Sequence, residues 1–135
     1  MYLVDTNVMS DVLRGAPQPS AWLNSVEPAS LYLSVITLGE INKGAAMRAR
    51  TDRRSAQQLW TWLDGLILEF GARILPITNR IAIEWGTIAS KRTRGIADGL
   101  LAATALVHGL TLVTRNAKDF DDLALPLVDP WKIQH

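Results

Sequence analysis

The chain has no cysteine, which excludes a disulfide scaffold, a cysteine-ligated zinc finger and thiol catalysis, and fits a reducing compartment. It also has no apolar run approaching the roughly 20 residues needed to span a bilayer. Met1 leads straight into a strand-like run rather than a charged signal region, so the expected location is the cytoplasm, without a membrane partner. Neither sign of charge prevails: 14 basic against 13 acidic residues leave +1, and the total says nothing about partners. No Gly-rich turn follows the first apolar run, which removes a dinucleotide-binding fingerprint. Internal repeats, low-complexity segments and linker-like stretches are missing too. At 135 residues and 48% hydrophobic content, one folded domain over residues 1–135 with a substantial core is expected, and disorder is not.

What is present begins with Met1-Tyr2-Leu3-Val4-Asp5-Thr6-Asn7-Val8. A continuous apolar run closed by a carboxylate reads as a strand buried on both faces, with Asp5 at its carboxyl end. Val8, Val12 and Leu13 before Gly15 suit a short helix over 7–14. Pro17 and Pro19 break the chain, and Ser20 is a candidate cap for a second short helix that ends at Pro28. Residues 31–35 read as a second strand. Helical spacing starts at Thr37 and places Glu40 among apolar neighbours. After a polar break at 50–54, Leu59, Trp62, Leu63, Leu66, Ile67 and Phe70 recur at i, i+3, i+4 spacing, so an amphipathic helix over 56–70 is expected. A basic turn would then join two antiparallel helices.

Residues 73–77 form a third candidate strand, and Pro76 argues that it lies at an edge or ends there. Thr78 or Asn79 can cap a helix that runs out near Lys91. Residues 97–108 are apolar nearly all round, so that helix should lie buried against the sheet. Residues 110–114 make a fourth strand, a short helix follows Asn116, and 126–128 offer a fifth strand. Strands alternating with helices, without a hairpin signal, imply an α/β domain with a parallel sheet of four to five strands.

A parallel sheet brings all its strand ends, and the N-termini of the returning helices, to one edge. Asp5, Glu40, Asp98 and Asp119, distant in the chain, can therefore converge there. Carboxylates placed so close raise one another's pKa unless a cation compensates, and oxygen-only ligands suit Mg²⁺ or Mn²⁺ rather than zinc. Such a site suits phosphodiester hydrolysis, because the metal activates a bound water. Asp5 and Asp98 are the expected direct ligands, with Asp119 completing the set directly or through water. Glu40 is the candidate to position or deprotonate the water. Thr6, Thr114 and Asn116 would hold carboxylates or waters by hydrogen bonds. The basic residues Lys43, Arg48, Arg50, Arg53 and Arg54 are either a solvated helix end or a phosphate-backbone contact. Lys91, Arg92 and Arg94 form a second cluster.

Asp5-Thr6-Asn7, Ile36-Thr37-Leu38-Gly39-Glu40-Ile41, the run Asp98 to Ala105, and Thr114-Arg115-Asn116-Ala117-Lys118-Asp119-Phe120 resemble, in order, the motifs of the PIN-domain family. The narrower resemblance is to VapC-type toxins, including the FitB-like branch. It implies a three-layer α/β/α domain, a Mg²⁺- or Mn²⁺-dependent endoribonuclease acting on RNA, a homodimer, and inhibition by a VapB-like antitoxin. It also implies the acidic quartet Asp5, Glu40, Asp98 and Asp119. Gly99 departs from the family pattern, which has a small or apolar residue after the third acid; a glycine in a first helical turn costs about 1 kcal/mol relative to Ala.

Plainer readings stand beside these. Asp5 and Asp98 could be ordinary helix caps, and Glu40 could be a solvated residue pairing with Lys43. Asp121 or Asp122 could stand in for Asp119. His108 suits the last turn of a helix, and the five Trp residues are too scattered for a stacking platform. A haloacid-dehalogenase-type phosphatase is a poor match because position 7 is Asn. The alternative that remains is a PIN-like module that binds RNA or protein without cutting.

Overall fold

The computed structural model describes residues 1–132. Its five strands are β1 (Tyr2–Val4), β2 (Leu31–Ser34), β3 (Ile74–Leu75), β4 (Thr111–Val113) and β5 (Leu127–Val128). All pair in parallel, in the order β3-β2-β1-β4-β5. Six helices connect them: α1 (Thr6–Leu13), α2 (Pro17–Ser25), α3 (Val35–Arg48), α4 (Arg53–Phe70), α5 (Asn79–Lys91) and α6 (Ile96–His108).

Successive strand residues feed opposite faces, as strand geometry requires. Leu3 and Leu112 enter a core with Ile81, Ile88 and Leu101 of α5 and α6. Their neighbours Val4 and Val113 enter a second core with Val8, Trp22, Ile41, Leu66 and Phe70 of α1 to α4. Both faces of β1 are thus covered, which is why its sequence is a continuous apolar run rather than an alternating one. The result is the expected three-layer arrangement.

Several boundaries differ from the sequence reading, each for a local reason. α2 begins at Pro17, not after a Ser20 cap, because a first helical turn needs no N–H from its prolines; the Ser20 hydroxyl instead donates to the Ala16 carbonyl at 2.7 Å. α3 begins two residues before Thr37, since the Ser34 hydroxyl caps it by accepting from the Ile36 N–H at 3.0 Å. Asp52 caps α4 through the Ser55 N–H, drawing Arg53 and Arg54 into the helix and leaving a shorter turn. Thr78 caps α5. β3 lies at the sheet edge, as Pro76 requires. Among the described residues no helix is long and apolar enough to cross a membrane.

β1 lies at the centre of the sheet, with β2 on one side and β4 on the other. Chain progression reverses direction there, so a crevice opens beyond the carboxyl ends of β1 and β4. Asp5 follows β1 directly and Thr114 follows β4 directly.

Candidate functional site

Asp5 divides its work between backbone and side chain. Its N–H continues the β1–β4 pairing by donating to the Val113 carbonyl at 2.9 Å, and its own carbonyl accepts from the N–H groups of Val8 and Met9 as α1 begins. The residue occupies the N-cap position of α1, yet its carboxylate makes no capping hydrogen bond. The ordinary-cap reading therefore fails for this side chain. Oδ2 instead accepts from the Thr114 hydroxyl at 2.9 Å and from the Asn7 amide at 3.3 Å. Oδ1 receives no side-chain donor among the described residues.

The Asp5 side chain is buried, and its pKa is pushed up from 3.8 to about 6. Burial is the largest cause; the Thr114 hydrogen bond opposes it, and the charges of Asp98 and Glu40 add to the rise. Asp98 is half-buried in the first turn of α6, and α6 carries no side-chain cap. Burial, then Asp119 and Glu40, raise its pKa as well, against the pull of Arg94. Asp5, Thr6, Glu40 and Asp98 line one cleft of about 400 Å³.

Glu40 is exposed, a correction to its expected setting among apolar neighbours: it lies on the flank of α3 that faces the cleft, not on the core stripe with Ile41 and Ala45. It does not pair with Lys43. Its Oε1 accepts from the Thr6 hydroxyl at 2.7 Å, and Thr6 Oγ1 lies 2.9 Å from Thr37 Oγ1. Each hydroxyl carries one proton, so Thr6 gives its own to Glu40 and accepts that of the fully buried Thr37. Thr114 donates its hydroxyl to Asp5 Oδ2. Asn116 contributes its main-chain N–H, which donates to Thr114 Oγ1 at 3.1 Å, while its side chain makes no hydrogen bond among the described residues.

Asp119 is exposed on a short 3₁₀ turn and does not line the cleft; it reaches the group through its charge on Asp98. Its neighbours are already engaged. Asp122 accepts from Arg94 at 2.6 and 2.7 Å and from Arg92 at 2.9 Å, and Asp121 lies 3.7 Å from Arg92. Asp119, by contrast, makes no ion pair among the described residues.

Four carboxylates line this cleft; Asp11 is taken up by two arginines, and Asp5, Glu40 and Asp98 remain as an all-oxygen donor set of the kind a hard divalent cation accepts. Among the described residues no three such side chains already stand in an ion-sized cage, so closing one requires side-chain rotation.

Lys43, Arg48, Arg50, Arg53 and Arg54 are all exposed and lie outside the acidic cleft. Arg48 lines an adjoining groove between α1, α3 and α4, floored by Ile41, Leu59 and Trp62 and sharing Glu40 with the cleft. Sequence reasoning overlooked Thr37, Asp11 and Arg115. Thr37 and Arg115 sit inside the quoted motifs, and their neighbours there were the only signal.

A family model described as PIN domain matches residues 2–125. The chain is 38% identical to Toxin FitB of Neisseria gonorrhoeae, over 97% of this chain and 99% of that protein. It is 31% identical to VapC ribonuclease Y4jK of Sinorhizobium fredii, over 98% and 99%. Its fold superposes on FitAcB from Neisseria gonorrhoeae with a TM-score of 0.89 at 33% identity, covering 98% of this chain and 100% of that one. The structure of FitAB bound to an IR36 DNA fragment gives 0.86 at 33% identity, over 100% and 99%. A central parallel sheet between helical layers, acids gathered beyond its carboxyl edge and a family model spanning nearly the whole sequence place this chain in the PIN-domain family.

Proposed function

We propose that this chain is a Mg²⁺- or Mn²⁺-dependent endoribonuclease, the toxin of a toxin–antitoxin pair, which hydrolyses RNA phosphodiester bonds. The observation that carries this reading is Asp5: a buried carboxylate with a pKa of about 6, sharing a cleft with Glu40 and Asp98. A group destabilised in this way as an anion is what a divalent cation relieves.

Asp5, Asp98 and Glu40 would hold the cation, with Asp119 closing the set by rotation or through water. When bound, the cation supplies Lewis acidity toward the phosphate and acidifies water. Glu40, oriented by Thr6, takes the proton from the attacking water. Thr114 and Asn7 fix the Asp5 carboxylate by donating to its Oδ2. The exposed residues Lys43, Arg48, Arg50, Arg53 and Arg54 supply sequence-independent phosphate contacts. Support for a nuclease rather than a silent module comes from relatives named ribonuclease VapC. Support for a VapB-like antitoxin comes from a structural neighbour that is itself a toxin–antitoxin complex, from Klebsiella pneumoniae. In this reading the protein is a cytoplasmic homodimer.

The test is incubation of the purified protein with mixed RNA and Mn²⁺, with and without chelator, beside Asp98→Asn. Cleavage that needs the metal and is lost in a normally folded Asp98→Asn is expected. Undiminished turnover in that variant would remove Asp98 from the mechanism, and RNA bound but never cut by the wild type would leave the silent module.

A further inference from the structure

The cleft also has a basic component that the acid chemistry leaves unused. Asp11 on α1 lies between two arginines: Arg14 Nη1 donates to Oδ1 at 2.9 Å and Arg115 Nη1 donates to Oδ2 at 3.0 Å. The shared carboxylate is 15% exposed, whereas Arg14 is 72% and Arg115 58% exposed. Asp11, Arg14 and Arg115 line the same cleft as Asp5, Glu40 and Asp98. Two guanidinium groups against one carboxylate leave a surplus positive charge there.

Arg115 is held in place on several sides. Its guanidinium lies over the Trp131 ring, 5.2 Å from the centroid, and is paired with Asp11. Its main-chain N–H donates to Asn7 Oδ1 at 3.4 Å, while the other end of that amide donates to Asp5. One side chain, Asn7, therefore ties the acid that ends β1 to the backbone of Arg115. The remaining guanidinium donors of Arg115 make no hydrogen bond among the described residues. A fixed planar cation with spare donors, beside a cleft of acids, matches a phosphate oxyanion.

The charge balance says which phosphate. On the ribonuclease reading, Asp5, Glu40 and Asp98 would hold the cation at the bond that is cut. An RNA strand brings further phosphates, each repelled by the carboxylates and each in need of a cation of its own. We propose that Arg115, assisted by Arg14 and held by Asp11, binds the RNA phosphate next to the scissile one and so sets the strand's register in the cleft. This rests on the ribonuclease reading and makes Arg115 a substrate-binding residue rather than a proton-transfer group.

The test measures binding of a short single-stranded RNA to Asp98→Asn protein against salt concentration, with Arg115→Ala, Arg115→Lys and Arg14→Ala added in turn. One lost phosphate contact on a single strand lowers the slope of log K against log salt by about 0.7, and roughly tenfold in affinity should go with it. Arg115→Lys should recover the slope, since the charge returns, but not the full affinity; Arg115→Gln, which also removes the charge, takes the place of Arg115→Ala if that variant does not fold. In an otherwise wild-type chain, Arg115→Ala should raise KM with kcat at saturation little changed. An unchanged slope and KM would overturn the proposal while leaving metal-dependent cleavage intact. Weakened binding of a partner protein with no change in RNA binding would overturn it also, assigning Arg115 to a protein carboxylate. A wild type that neither binds nor cuts RNA would fail the ribonuclease reading first, and this one with it.

Discussion

Asp5 shows how one residue can be settled by position yet explained only by its surroundings. Its place after an apolar strand was plain in the sequence. The atoms that accept hydrogen bonds, and those that stay free, depend on Thr114, over a hundred residues away along the chain. The raised pKa has a stability consequence. With a folded value of about 6 against 3.8, the native protein binds this proton more tightly than the unfolded chain does, so protonation favours folding. The gain is complete below about pH 3.8, partly retained at pH 5 and gone once pH has risen past about 6; the total lost by neutral pH has a ceiling on the order of 3 kcal/mol. Metal-free protein should therefore melt at a higher temperature at pH 5 than at pH 7.5, and Asp5→Asn should flatten that difference. Parallel Tm profiles for the two proteins would show that Asp5 does not titrate in this range. Glu40 teaches the opposite lesson. Spacing put it on a helix, but helical periodicity could not tell the core stripe from the flank beside the cleft, and the partner that orients it, Thr6, comes from α1.

Among the elements, α6 carries the least obvious constraint. Gly99 costs helix propensity, and from the sequence alone it looks like a defect beside Asp98. A Cβ at this position would lie 2.8 Å from Trp85 Cδ1 and 2.9 Å from its Nε1, closer than real carbon contacts. The glycine lets the indole of α5 lie against the first turn of α6, the turn that presents Asp98. Two effects compete in Gly99→Ala: about 1 kcal/mol of propensity gained and about 1–3 kcal/mol of overpacking lost. The clash should win, because α5 and α6 are packed together and share a core. Urea denaturation should show Gly99→Ala less stable by up to about 2 kcal/mol, and combining it with Trp85→Leu should cost less than the two singles summed. Strict additivity would mean that the indole is not what the glycine accommodates. The capping residues Ser34 and Asp52 extended their helices beyond the apolar pattern for a related reason: caps act on the backbone and leave little trace in periodicity.

For the molecule as a whole, the sheet order is what gives the acids a common cleft. With β1 central and progression running outward in both directions, the ends of β1 and β4 and the N-terminal turns of α1, α3 and α6 meet at one edge. An assembly that gathers negative charge in this way should be stabilised by the ion that neutralises it. Mg²⁺ or Mn²⁺ at about 100 times its Kd should add roughly 2.7 kcal/mol, a rise of several degrees in Tm. That rise should vanish in Asp5→Ala. An equal rise in the variant would show that the cation binds elsewhere.

The order of apolar runs, their breaks at glycine and proline, and the burial of β1 and of the middle of α6 were written in the residue pattern, because backbone geometry and hydrophobic burial act over a few neighbouring residues. The approximate sheet came with them. The pairing of Thr6 with Glu40, the sharing of Asp11 by Arg14 and Arg115, the engagement of Asp122 by Arg94, and the need for glycine under Trp85 came from the folded chain. Most of these contacts join segments tens of residues apart. Their geometry follows from how strands and helices stack, and no local spacing encodes it.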